Sequence, residues 1–227
     1  MTPSENTKND VVESYKVESR KVKVLRPGLS KEFVETGLDL SVQALFNVRK
    51  KYNLPEKYIL YLGTLEPRKN IESVIEAYKM NYGLGIMNYE LVIAGSSGWK
   101  NKKILKLISE TPGAQYIGYV DDADKPALYK SASLFIYPSL YEGFGFPVLE
   151  AMASGVPVIT SNRSSLPEVA GDVAYLTNPH NVSEIANAMR LILSDEKLRN
   201  ILIERGKKQA EKFSWEKTAG EFWQIIG

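Results

Sequence analysis

Leu134-Phe-Ile-Tyr137, followed by Pro-Ser-Leu-Tyr and then Glu142-Gly-Phe-Gly-Phe-Pro-Val-Leu-Glu150, is the stretch on which the fold turns. The first four residues have the composition of a buried strand. The last run on into the apolar Ala151-Met-Ala, which reads as a helix. Between them a Gly-Phe-Gly-Phe turn hands a strand over to a helix N-terminus, and Pro147 fits the first helical turn because its missing N–H has no partner to lose there. Exposed N–H groups and the positive end of the helix dipole make such a turn a site for an anion. Two carboxylates, Glu142 and Glu150, flank it.

Outward from this stretch, strand-like and helix-like runs alternate, the pattern of a parallel sheet covered by helices on both faces. Strands are predicted at Lys21–Leu25, Tyr58–Leu62, Glu90–Ala94, Gln115–Ile117, Leu134–Tyr137, Pro157–Thr160 and Ala174–Leu176. Helices are predicted at Asn70–Tyr82 behind an Asn cap, and at Lys102–Ser109, Asn181–Leu193 and Glu196–Phe213. A last one, capped by Ser214, reaches Ile226. There is no internal repeat and no low-complexity segment. The fold expected is α/β, a Rossmann-like doubly wound parallel sheet in a single domain.

Composition narrows the function. The chain has 227 residues, 44% hydrophobic and 25% charged, enough for one full-sized core. Its 29 basic and 27 acidic residues leave a net charge of +2, which argues for neither a nucleic-acid nor a membrane partner. Without cysteine there is no disulfide, thiolate metal site or thiol nucleophile, and a reducing compartment suits the chain. No apolar run reaches membrane-spanning length and residues Thr2 to Asp10 are polar, so the expected location is the cytoplasm.

A doubly wound sheet binds its ligand at the carboxyl ends of its strands. Four post-strand loops stand out there: Leu62-Gly-Thr-Leu-Glu-Pro-Arg-Lys-Asn70, Ala94-Gly-Ser-Ser-Gly98, Ile117-Gly-Tyr-Val120 and Tyr141–Phe146. All should open on one edge of the sheet. Arg68 and Lys69 place two cations in the first, where they would neutralise a diphosphate and stabilise charge growing on a leaving phosphate. Gly143 and Gly145 would let a ligand approach the backbone. The structural alternative for Glu142–Glu150 is a plain Gly-rich turn with two solvated glutamates.

These motifs resemble the C-terminal, donor-binding half of a family 4 glycosyltransferase of the GT-B fold. Tyr137–Ile159 resembles that family's paired-glutamate segment, Gly63–Asn70 its phosphate loop, Ile117–Val120 its nucleobase loop, and Ser165-Leu-Pro-Glu-Val-Ala-Gly171 a further family segment. Gly-Thr-Leu-Glu-Pro-Arg-Lys-Asn70 and Ser165–Gly171 are nearest in character to bacterial and archaeal mannosyltransferases. The resemblance implies a metal-independent transfer of a hexose, mannose on that reading, with retention, from a GDP- or UDP-linked donor to an acceptor hydroxyl. In it Arg68, Lys69 and Glu142 are catalytic, with Glu142 on the donor sugar and Glu150 on the ribose diol. Gly63, Thr64, Tyr119, Val120, Gly143, Phe144, Gly145, Phe146 and Leu149 complete the donor site. No cofactor is implied. One departure is Thr64, where many members carry Arg.

The resemblance also divides the chain: residues 1–20 as the remnant of an interdomain helix and hinge, 21–212 as the nucleotide-sugar domain, and 213–227 as a crossover helix. Ser4–Glu13 resembles the last helix of an N-terminal half, and Val24–Phe33 the crossover. The acceptor half is then expected from a truncated gene's missing part or from a separate chain. Phe213, Trp215, Phe222 and Trp223 should form an exposed aromatic patch or self-association surface. A non-catalytic nucleotide-sugar-binding subunit and a GT-B epimerase or phosphorylase are the alternatives.

Three further features have ordinary readings. Asp122-Ala-Asp124 matches an Asp-x-Asp metal motif but sits where a helix opens, and capping is the preferred reading. His180 lies at a turn before a helix. The basic run Arg199–Lys212 reads as a solvated helix face, with at most peripheral membrane contact.

Overall fold

The computed structural model describes residues 1–35, 40–81 and 88–227. Six strands form one sheet: β1 (Tyr58–Leu62), β2 (Glu90–Ala94), β3 (Ala114–Tyr116), β4 (Leu134–Tyr137), β5 (Val158–Ser161) and β6 (Tyr175–Thr177). Their order is β3-β2-β1-β4-β5-β6, and every neighbouring pair is parallel. Parallel strands covered on both faces must be apolar throughout, and β1 and β4 are buried at every position. β1 pairs along its whole length with β2, from Tyr58↔Glu90 to Leu62↔Ala94.

The helices are α1 (Glu5–Tyr15), α2 (Lys31–Glu35), α3 (Val42–Lys51), α4 (Ile71–Asn81), α5 (Lys102–Ser109), α6 (Lys125–Lys130), α7 (Phe146–Ala153), α8 (Leu166–Ala170), α9 (Val182–Ser194), α10 (Glu196–Ala210) and α11 (Trp215–Ile226). The expected α/β class stands. α4 packs on α9, α7 on α10 and α3 on α6, each burying its apolar stripe. Ile71, Val74, Ile75 and Tyr78 are all in the core, the stripe that the periodicity predicts. Tyr82, the expected end of that helix, lies outside the described residues.

Several expectations are corrected. Lys21–Leu25 is not a sheet strand: Ser19–Lys21 form a 3-10 turn, and Val24 makes only an isolated bridge with Thr2. The next strand starts far downstream, so these residues find a partner in the N-terminal arm and not in the sheet. Asn70 lends α4 its carbonyl, which accepts from Val74 N (3.4 Å), but its side chain bonds no main-chain N–H of the helix. It sits in the left-handed region (φ 60°) and ends a 3-10 turn. Its Nδ2 donates to the carbonyls of Pro138 (3.0 Å) and Pro179 (2.7 Å), while its Oδ1 accepts from Ser73 Oγ (2.7 Å). Asn70 therefore ties the loop after β1 to the loop after β4. The helix expected to reach Phe213 ends at Ala210.

Phe213 is buried against the ring of Phe144, 5.8 Å away edge-on, so it leaves the expected exposed patch. Trp215 and Trp223 remain exposed on α11. The start of that helix is held by Thr218 Oγ1, which donates to the carbonyl of Arg26 (2.7 Å), and by Leu29 N, which donates to the carbonyl of Phe213 (3.2 Å). At the carboxyl edge, β1 and β4 lead away to opposite sides of the sheet. That divergence opens a crevice between their loops, the place where a doubly wound sheet takes its ligand.

Candidate functional site

The crevice is a cleft of about 190 Å³. Leu62, Gly63 and Thr64 come to it from β1, Gly95 and Ser96 from β2, Tyr119 and Val120 from β3, and Phe146, Pro147 and Glu150 from the start of α7, with Lys125 of α6 between them. All four loops singled out in the sequence open on this one edge, three of them with the residues expected to line a donor site.

Two glycines of these loops combine a positive φ with a crowded Cβ position. Gly145 caps α7 at φ 122°, and a Cβ there would stand 2.8 Å from Leu166 Cδ2. Gly95 has φ 132°, and its Cβ would fall 2.1 Å from the carbonyl oxygen of Gly63, so the first two loops touch backbone to backbone. Gly143 is different. Its Cβ would meet only Thr7 Oγ1 at 3.8 Å, so nothing in the protein itself demands glycine at that position.

Glu142 is buried behind the cleft in a tight ionic cluster. Its Oε1 accepts from Lys69 Nζ (2.6 Å) and from the hydroxyl of Tyr137 (2.9 Å), and its Oε2 from Arg68 Nη1 (3.2 Å). Lys69, only 8% exposed, also donates to Tyr137 Oη at 2.6 Å. Burial pushes the Glu142 carboxyl up, but Lys69 and the hydroxyls of Ser139 and Tyr137 outweigh it and hold the group below the ordinary value. Arg68 donates to the carbonyl of Tyr141 (2.6 Å) and to Glu66 Oε1 (2.6 Å) as well. The structure thus brings Arg68, Lys69 and Glu142 together, although none of the three is among the residues that line the cleft.

Glu150 stands on the cleft wall. Burial raises its carboxyl above the ordinary value, against the hydroxyl of Tyr129, which donates to Oε2 at 2.9 Å, and against the nearby charge of Lys125. Leu149 and Phe144 were expected at the donor site, but their side chains lie in the core: Leu149 is wholly buried, and Phe144 packs between Phe146 (5.0 Å) and Phe213. Only their main chain can face a ligand. Phe146 and Tyr119 are exposed at the rim.

Sequence reasoning missed the residues that hold the Gly-rich turn. Ser165 Oγ donates to the carbonyls of Glu142 (2.8 Å) and Phe144 (2.6 Å), and Ser164 Oγ accepts from Glu142 N (3.0 Å). Ser4 and Thr7 of the N-terminal arm donate to the carbonyl of Gly143 (2.8 and 3.0 Å). Glu168 in turn accepts from the main-chain N–H groups of Glu5 (2.9 Å) and Asn6 (2.8 Å), capping α1 from across the fold. The segment Ser165–Gly171 was legible as a motif, but its role depends on contacts about 160 positions away. Tyr137 stands in the sequence only as a strand end and the start of a motif, and no sequence pattern singles out Tyr129 or Lys125.

The Asp-x-Asp carboxylates each have a lysine. Asp122 pairs with Lys125, and Asp124 accepts from Lys51 Nζ (2.6 Å) and Tyr52 Oη (2.8 Å). They open the helical segment as expected, but through ion pairs and not through caps, since neither makes a side-chain bond to a helix N–H. His180 is exposed in its turn, with its N–H on Asn178 Oδ1 (3.1 Å). α10 is solvated on one face only. Leu202, Gly206, Gln209 and Ala210 are buried, and Arg199 turns back to donate to the carbonyls of Ile192 and Leu193.

Residues 46–209 match the family "Glycosyl transferases group 1". The chain belongs to the group 1 glycosyl transferases. This group 1 chain is 36% identical over 220 residues to an O-antigen chain mannosyltransferase of Escherichia coli, covering 95% of itself and 57% of that protein. It is 35% identical over 221 residues to a serotype-specific mannosyltransferase of the same species, covering 95% of itself and 27% of that protein. It therefore spans about half the length, or less, of the curated relatives it matches. Among solved structures, a glycosyltransferase from Rickettsia africae superposes with a TM-score of 0.86 at 20% identity, over 98% of this chain and 61% of that one. The lipopolysaccharide glycosyltransferase WaaG does so at 0.82 and 20%, over 100% and 62%. These likenesses show the fold, that of a GT-B C-terminal half.

Proposed function

We propose that the chain is the donor-binding half of a metal-independent, retaining hexosyltransferase, and that the cleft between β1 and β4 holds a nucleoside diphosphate sugar. The observation that carries this reading is the convergence on one crevice of a glycine-lined loop, a helix start and the half-buried carboxylate of Glu150, with the Arg68–Lys69 cation pair on the loop after β1. In this reading the base lies toward Tyr119, Val120 and Lys125, and Glu150 accepts from the ribose diol. The diphosphate lies between Gly63–Thr64 and the start of α7. Mannose is the sugar that the names of the relatives favour.

Arg68 and Lys69 supply the positive charge in place of a metal. As the sugar–phosphate bond breaks, negative charge grows on the leaving group, and donors already fixed there lower the barrier. Losing one such donor typically costs about 3 kcal/mol, on the order of a hundredfold in rate. With Thr64 in place of a loop arginine, Arg68 carries that role from five residues' reach of Gly63. Glu142 orients both cations, and in this reading it also meets a sugar hydroxyl once a donor enters. Acceptor binding is assigned to a further half or a separate chain, and the exposed Trp215 and Trp223 offer it, or a second copy, a surface. No helix among the described residues is long and apolar enough to cross a membrane. The cytoplasmic location belongs to this proposal.

Calorimetric titration with GDP, UDP and ADP tests the reading. One of them is expected to bind, and Glu150→Ala should weaken that one roughly tenfold or more, the loss of charge-assisted bonds to the diol. Absence of heat with all three at millimolar concentration would refute the donor site.

A further inference from the structure

Two side chains of the loops that bound the cleft have no part in the reaction so far, yet they are joined in a line to Arg68. The carboxylate of Glu66 takes Arg68 Nη2 on Oε1 at 2.6 Å and the indole N–H of Trp99 on Oε2 at 3.1 Å. Trp99 follows Gly98 in the loop after β2, and that loop is fastened to the loop after β1. Leu65 N donates to the carbonyl of Ser96 (2.9 Å), Leu65 bridges Ser97, and a Cβ on Gly98 would lie 2.6 Å from the Leu65 carbonyl oxygen. Thr64 and Ser96, earlier in the same two loops, line the cleft itself. Glu66 is thus a negative charge set next to an anion site. By charge alone it would repel a diphosphate and neutralise the cation meant to receive it.

What Glu66 provides instead is orientation. A guanidinium is a rigid planar fork, and fixing one terminal nitrogen fixes the direction of the remaining N–H groups. Three of the five N–H donors of Arg68 are held: by Glu66, by Glu142 and by the carbonyl of Tyr141. We propose that Glu66 is a positioning residue for Arg68, and that Trp99 is linked through Glu66 to the diphosphate end of the cleft, so that nucleotide occupancy is transmitted to its indole. The proposal rests on the donor-site reading above and adds to it a residue pair and a built-in optical reporter.

The test uses the whole chain with GDP, UDP and ADP, following heat and tryptophan emission in parallel. For the nucleotide that binds, emission should change on saturation. Trp99→Phe should abolish the change, while Trp215→Phe, on α11 and outside the residues that line the cleft, should keep it. Glu66→Ala should bind roughly tenfold more weakly although it removes a negative charge, and Glu66→Gln, which keeps an acceptor oxygen, should recover part of the loss. A Glu66→Ala chain that binds as tightly as the parent or more tightly would overturn the proposal, because Glu66 would then act through charge alone. So would an emission change that survives Trp99→Phe, and this arm decides the matter if Glu66→Ala does not fold. A parent chain that gives no heat with any nucleotide refutes the donor site first, and the proposal with it; binding heat in the parent keeps the two failures apart.

Discussion

Glu142 shows how a residue legible in sequence acquires its meaning from partners that are not. Its place between a strand and a Gly-rich turn marks it as functional, and the adjacent Arg68 and Lys69 stand out as a cation pair. The burial of Glu142 and Lys69 around the hydroxyl of Tyr137, and the reach of Arg68 to Glu142, come from side chains that converge only when β1 and β4 lie side by side. No local pattern announces that. The ion pair makes a pH prediction with a definite sign. The Glu142 carboxyl is held below its ordinary value, so its contribution to stability is fully present above about pH 4.3, the unfolded value, and is lost as pH falls through the lower folded one. Glu142→Gln should therefore be less stable by about 2 kcal/mol at neutral pH. In urea titrations across the acid range that difference should shrink. A difference that stays constant down to strong acid would show that the pair does not contribute as described.

At the scale of elements, the strands after Tyr58 were legible to within a residue, because a parallel sheet buried on both faces leaves an almost continuous apolar signal. Lys21–Leu25 carries the same local signal without a place in the sheet, and periodicity cannot say which strands find partners. α1 illustrates the converse. It is polar and buries no residue completely, yet it is fixed to the Gly-rich turn by Ser4 and Thr7, and its N-terminus is capped by Glu168. Asp10 adds a bond from the hydroxyl of Tyr141. Glu168→Ala should cost about 1 kcal/mol of local stability, the value of a helix cap. In hydrogen exchange the amides of α1 should then exchange several-fold faster, with those of β1 and β4 unchanged. Equal exchange in α1 with and without Glu168 would remove the cap from the account.

The whole molecule has hollows at both edges of its sheet, and size does not choose between them. The one at the amino edge, bounded by Glu56, Lys57, Asn88 and Glu90, is the larger at about 430 Å³. It has two carboxylates against one lysine and no helix start. The smaller cleft at the carboxyl edge has the loops, the helix N-terminus and the cation pair behind it. The sequence pointed to the carboxyl edge because parallel topology places every post-strand loop there, whatever the side chains do. What it could not show is which parts of the motif line the cleft and which, like Leu149 and Phe144, support it from below. Hydrogen exchange with and without the nucleotide that binds is the most direct test of the donor site. The account predicts slowed exchange at Gly63–Asn70, at Ile117–Val120 and across Gly143–Glu150. Protection confined to the amino edge around Lys57 and Glu90, with those three segments unchanged, would contradict it.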